Sequence, residues 1–149
     1  METTRKDKIW RSKLTKKLLS IGGSKVISSK CETWNDFPAI VCKYIIEEGE
    51  LFKDMKIVYR LGANSRCHFN VLFEAGGHPG YIPYFGFGLS GDDGMWRPHS
   101  WLISNRGNII ETTVSRIAYF GVIIPFEEVE NFYKKLESGE PVNWYPGRG

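Results

Sequence analysis

The sequence predicts an α+β protein in which helices come first and a mostly antiparallel sheet follows. Apolar residues recur at helical spacing in the N-terminal part, while short β-branched and aromatic runs, punctuated by glycines, fill the second half. No internal repeat or linker divides the 149 residues, a length suited to one domain. The chain is therefore read as a single domain, 1–149. Its helical N-terminal part is 1–54. A cysteine-bearing helix, the antiparallel sheet and a C-terminal helix fill 55–138, and 139–149 is an irregular tail.

Composition narrows the function classes. No run reaches the roughly 18 apolar residues of a membrane span, and the charged N-terminus lacks the apolar core of a signal peptide. No membrane partner is expected. The three cysteines, Cys31, Cys42 and Cys67, are odd in number and sparse, which points to a reduced, cytoplasmic protein rather than a disulfide scaffold. His68, His78 and His99 show no zinc-ligand spacing, and the glycines at 86, 88 and 91 do not form a phosphate loop, so neither a metal nor a cofactor is expected. The net charge is only +3, but Arg5, Lys6, Lys8, Arg11, Lys13, Lys16 and Lys17 crowd the N-terminus. A solvated helix face is the favoured reading, and nucleic-acid contact ranks last.

Along the chain, Trp10, Leu14, Leu18 and Ile21 predict a helix over 7–21, ended by Gly22-Gly23. Asn35 or Asp36 is expected to cap a second helix with Pro38 in its first turn, stopping near Gly49, with Cys42 packed in or near the core. MKIVYRL, 55–61, reads as a strand. Asn64 or Ser65 is expected to cap a helix that begins near Arg66, closes at Gly76-Gly77 and turns Phe69, Leu72 and Phe73 to the core. Tyr81–Leu89 reads as a strand bent at its glycines, then a turn at 90–94, a hairpin over 97–113, a strand over 116–124, and a helix from Pro125 to about Glu137.

The hairpin carries the argument about function. With a two-residue Arg106-Gly107 loop, Glu111 would lie on the face opposite His99. A three-residue loop, Asn105-Arg106-Gly107 with glycine in the left-handed position, is the preferred form. It sets Trp101 opposite Glu111 and His99 opposite Thr113, all on one face. Glu111 becomes the diagonal neighbour of His99, roughly 7–8 Å away along the backbone and within side-chain reach. One residue of slip would undo this.

Cys67, in the first turn of its helix, is the candidate nucleophile, because a helix N-terminus and a nearby histidine both favour thiolate. His99 is the candidate base and Glu111 the group that orients it, with Trp101 screening the pair from water. The competing readings are a buried inert cysteine, a packed histidine and an exposed glutamate. Adjacent helix positions diverge by about a hundred degrees, so His68 is expected to be a poor partner for Cys67. Asn64 is a candidate oxyanion donor beside the Cys67 N–H, and Asn70 either shares that role or holds the local backbone.

CHFN at 67–70, HSW at 99–101 and GNIIETT at 107–113 place a cysteine on a helix, a histidine on a strand and an acid on the next strand. This order resembles the papain-like and transglutaminase-like cysteine enzymes, in particular small bacterial or phage members, over roughly residues 60–124. The acid is Glu111 where Asp or Asn is more usual. The resemblance implies a papain-like or transglutaminase-like fold with helices packed on the sheet. It implies Cys67 as nucleophile, His99 as base and Glu111 as orienter in acyl transfer through a thioester. A peptidase, a glutamine deamidase or a transglutaminase-like acyltransferase would each fit, acting on a protein or peptide. The alternative is a non-catalytic binding or inhibitor module on the same fold, using the basic helix and aromatics such as Trp144 and Tyr145.

Overall fold

A computed structural model describes residues 5–27, 38–64 and 66–140. The described chain is α+β, with four helices and a mostly antiparallel sheet. Its residues fall into two compact units.

The first unit holds α1 (Arg5–Ile21), β1 (Lys25–Val26), α2 (Ala39–Glu48) and β2 (Glu50–Lys53). The C-terminal half of β4 (Ile82–Leu89), the start of β5 (Met95–Ile103) and most of β7 (Ala118–Ile123) also belong to it. Of the predicted apolar stripe of α1, Leu14 and Leu18 are buried and Trp10 and Ile21 half-buried, while its lysines stay exposed. Lys13 lies over the ring of Trp10, 4.4 Å from its centroid, so part of the basic run is seated on its own helix. Pro38 occupies the N-cap of α2 without a side-chain cap, and Asp7 of α1 instead accepts the Ala39 N–H at 2.7 Å. The expected caps Asn35 and Asp36 lie outside the described residues, as do Cys31, Trp144 and Tyr145. Cys42 is fully buried, and burial pushes its thiol up to about 11, which makes it packing rather than chemistry. Two short strands went unanticipated. β1 pairs with β5 in parallel, and β2 pairs antiparallel with β7.

The second unit contains β3 (Ile57–Tyr59), α3 (Cys67–Gly77), β6 (Ile109–Glu111) and α4 (Phe126–Ser138), with the other halves of β4 and β5. β5 and β6 form the expected hairpin, with Leu102 opposite Ile110 and Ile103 opposite Ile109. The loop closes through Gly107 N–H to Ser104 O at 2.9 Å, and Gly107 has φ +78°. Glycine adopts that left-handed conformation without steric cost, which holds the register. β3 lies parallel to β6, with Tyr59 opposite Glu111. The ladder continues as Arg60 N–H to Glu111 O and Gly62 N–H to Thr112 O, both 2.9 Å. This carries the chain along β6 and straight into α3.

α3 packs on α4 through aromatic contacts, Phe69 edge-on to Phe132 at 5.2 Å and Phe73 stacked on Tyr133 at 6.3 Å. Phe73 nonetheless stays 49% exposed, so it is not the core residue that the periodicity suggests; Val71 and Leu72 are. The stripe of α3 is rotated because the helix rests one flank on α4 and buries the polar Asn70. β4 is buried from Pro83 to Leu89, so its aromatics fill the core.

Gly62 shows why the approach to α3 is so constrained. A Cβ there would sit 2.5 Å from Asn70 Cγ. Asn70 Oδ1 accepts the Ala63 N–H at 3.1 Å and its Nδ2 donates to Ala63 O at 2.9 Å. Gly62→Ala would force Asn70 to give up these bonds, and a loss of about 1–3 kcal/mol is expected, read as a lower urea midpoint at unchanged slope.

Candidate active site

The site is assembled within the second unit. Cys67 is the first residue of α3, with Arg66 at the N-cap making no side-chain cap. Of the two expected caps, Asn64 does not fill this role. Asn64 is exposed, and Ser65 lies outside the described residues. The turn before the helix is instead braced from inside by Asn70, whose amide is fully engaged with both backbone groups of Ala63. Asn70 therefore holds the backbone and does not point an oxyanion donor at the thiol. The remaining donor on the chain itself is the Cys67 N–H at the positive end of α3.

His99 is buried in the middle of β5, and Glu111 is buried at the end of β6. His99 Nε2 lies 2.9 Å from Glu111 Oε1 and 3.1 Å from Oε2. This is the diagonal contact that the three-residue loop allows. Glu111 Oε2 also accepts the Thr113 N–H at 3.1 Å and the Thr113 hydroxyl at 3.3 Å. A buried carboxylate with its lone pairs so occupied cannot swing away from the imidazole. Trp101 is fully buried and lies nearly parallel to His99, with ring centroids 6.3 Å apart, and Tyr84 stacks on it in turn at 5.9 Å. These rings form an apolar wall along the His99–Glu111 pair.

The half-buried Cys67 thiol is within the electrostatic influence of both His68 and His99. Nε2 of His99 is committed to Glu111. Burial by itself would push the thiol up. The positive charge that His68 and His99 can carry, and their hydrogen bonds, outweigh it and hold Cys67 well below the ordinary thiol range. Burial also opposes a charge on His99, but the Cys67 thiolate and the Glu111 carboxylate overcome it and lift His99 to about 9. Both shifts favour the same state, a thiolate beside an imidazolium.

His99, Glu111 and Trp101 are thus brought together, with Cys67 coupled to His99 electrostatically, while Asn70 braces and Asn64 stays at the surface. His68 and Thr113 are the residues that sequence reasoning undervalued. Although His68 was expected to be a poor partner for Cys67, its charge contributes to lowering the thiol. The imidazole of His68 is turned by its Nδ1, which hydrogen-bonds the buried Ser100 hydroxyl of β5. The adjacent pair Cys67-His68, followed by a serine next to His99, was the available signal. His78 sits at the end of α3, 3.2 Å from Glu74 and stacked on Tyr81, away from this chemistry.

Among the described residues no three His, Cys, Asp or Glu side chains are placed to hold a metal ion. Nor is any described helix long and apolar enough to cross a membrane. Comparisons with protein-family models, with curated proteins and with solved structures find no match. Geometry alone has to carry the functional reading.

Proposed function

We propose that this protein is a cysteine-dependent amide-bond enzyme of the papain-like or transglutaminase-like kind, working where thiols stay reduced. The observation that carries the proposal is a buried imidazole held by a buried carboxylate, His99 by Glu111, and coupled electrostatically to the thiol of Cys67. A nucleophile, a base and a group orienting that base are the three parts acyl transfer requires.

In the proposed reaction His99 Nδ1 takes the thiol proton. The Cys67 sulfur attacks a carbonyl carbon, and the carbonyl π electrons move onto oxygen beside the Cys67 N–H. Collapse breaks the carbon–nitrogen bond, and His99 returns its proton to the leaving amine. This leaves a thioester. Water or a second amine, deprotonated by His99, then attacks that carbonyl, the carbon–sulfur bond breaks, and the thiolate is restored. Glu111 takes no proton; it keeps Nε2 occupied so that Nδ1 faces the sulfur. A non-catalytic binding module would need no buried imidazole–carboxylate pair coupled to a thiol, and the coupling of Cys67 to His99 weighs against it.

Acylation by an activated ester provides the test, read by intact mass and by mapping the adduct. A burst with one acyl group on Cys67 is expected, together with peptide cleavage, ammonia release from glutamine peptides or amine incorporation. Cys67→Ala should show none of these at an unchanged circular dichroism spectrum. Full activity in Cys67→Ala, or acylation elsewhere only, would overturn the proposal.

A further inference from the structure

Away from the cysteine, and wholly within the first unit, two arginines converge on one hydroxyl. Arg97 Nη1 donates to Ser90 Oγ at 2.8 Å, and Arg116 Nη1 donates to the same oxygen at 2.9 Å. We propose that Ser90, Arg97 and Arg116 form a binding site for a phosphate-type oxyanion, taken either as free phosphate or as the phosphoryl group of a larger ligand. The inference is independent of the cysteine-enzyme reading.

The balance of donors and acceptors argues for an anion. The two guanidinium bonds occupy both lone pairs of Ser90 Oγ, so its own proton needs a further acceptor. Arg97 has a carboxylate partner, its Nη2 meeting Asp93 Oδ2 at 2.6 Å. Arg116 has no carboxylate partner among the described residues. Its Nε–H is buried there without any hydrogen-bond partner. That N–H and the adjacent Nη2–H make the fork that grips an oxyanion through two parallel bonds. A carboxylate is filled by such a fork alone, whereas a phosphate-type group keeps further oxygens for the Ser90 hydroxyl. Solvent does not reach Arg116 Nε, so a small turn of the guanidinium towards a ligand oxygen gains a bond that water does not already supply.

The surrounding backbone holds the three side chains in place. Ser90 N–H donates to Met95 O at 3.0 Å and Gly94 N–H to Ser90 O at 3.1 Å, closing the turn between β4 and β5. Ile117 N–H donates to Leu89 O at 2.9 Å and Arg116 N–H to the Tyr119 hydroxyl at 3.0 Å, fixing the entry to β7. The Arg116 chain passes close over Gly88, where an added Cβ would sit 2.6 Å from its Cγ. Access is open on one side, since the Arg97 side chain is 26% exposed. The acidic groups beside the site are Asp93, committed to Arg97 and to the Met95 N–H at 3.0 Å, and Asp92, exposed in the same turn. These two carboxylates hold the expected affinity to the order of millimolar.

The test is an NMR titration of the Arg116 Nε–H and of the backbone amides of Ser90 and Gly94, at constant ionic strength. Inorganic phosphate, glycerol phosphate and chloride serve as probes. Both phosphates should move these signals saturably, whereas chloride should not. Either order of affinity supports the site: glycerol phosphate at least tenfold tighter assigns it to a phosphoryl group, and equal or weaker binding assigns it to free phosphate. Arg116→Lys keeps the charge but loses the fork, and should weaken phosphate binding about tenfold as read by the two amides. Arg97→Gln removes a cation and leaves Asp93 unpaired, and should weaken it as well. Arginines that serve the fold alone would give phosphate shifts no larger than those of chloride, which overturns the proposal. Wild-type affinity retained in Arg116→Lys or, should that variant not fold, in Arg97→Gln overturns it too.

Discussion

His99→Ala is expected to slow alkylation of Cys67 at about pH 6 by roughly a hundredfold or more, with the secondary structure retained. In the native protein charge on His68 and His99 holds Cys67 well below the ordinary thiol range and so favours the thiolate. Without His99, burial is opposed only by His68, and the thiol moves back towards its ordinary value near 9.0. A thiol of that kind is ionised to roughly one part in a thousand at pH 6. Part of the loss should therefore remain recoverable by raising pH, and the variant's rate should climb steeply towards pH 9. Cys42, buried and shifted the other way, should stay unreactive in both proteins, serving as an internal control. A variant that labels Cys67 at the wild-type rate near pH 6 would show that its reactivity does not come from His99.

Glu111→Ala should be the most destabilising single change in the site, costing about 3–5 kcal/mol, because it leaves a buried imidazole without its partner. His99 and Glu111 side chains are 1% and 0% exposed, so solvent cannot replace the lost bonds. Glu111→Gln keeps an acceptor for Nε2–H and much of that stability, but removes the negative charge. The His99 titration, followed by its ring proton in NMR, should then fall from about 9 towards the ordinary 6.5. An unchanged titration in Glu111→Gln would mean that Cys67 alone holds the imidazolium.

The pair also shapes the stability profile. The His99 contribution is complete below 6.5 and is lost as pH rises through about 9. The Cys67 contribution is complete above 9.0 and is lost as pH falls through its lowered folded value. Between about 6.5 and 9 the folded and unfolded states hold the same number of these protons, so the pair imposes no slope there. Below 6.5 the unfolded state holds one more, and stability should decline with acid. Urea midpoints across this range in wild type and Cys67→Ala would expose the difference.

Much of the arrangement was legible before any coordinates. The position of Cys67 at a helix start followed from Gly62, the apolar spacing after it and Gly76-Gly77. The His99–Glu111 contact followed from one loop, because side chains alternate along strands and Gly107 makes a three-residue turn the easy one. Burial at α1 and in Cys42 followed from spacing and composition. What periodicity misjudged was rotation. Phe73 fits the apolar stripe of α3, yet the helix settles on α4 with Asn70 inward, because that asparagine satisfies both backbone groups of Ala63 at once.

Local pattern thus determined which residues are candidates for chemistry and which of them share a sheet face, since turn geometry and strand alternation act over a few residues. Only the tertiary structure decided what reaches the sulfur. Whether the start of α3 lies beside β5, and whether Ser100 holds the His68 ring, depends on contacts between segments some thirty residues apart. Thr113 closing on Glu111 is local, but its value comes from the burial that surrounds it. The hairpin supplies the base and the carboxylate. Helix packing makes them a site.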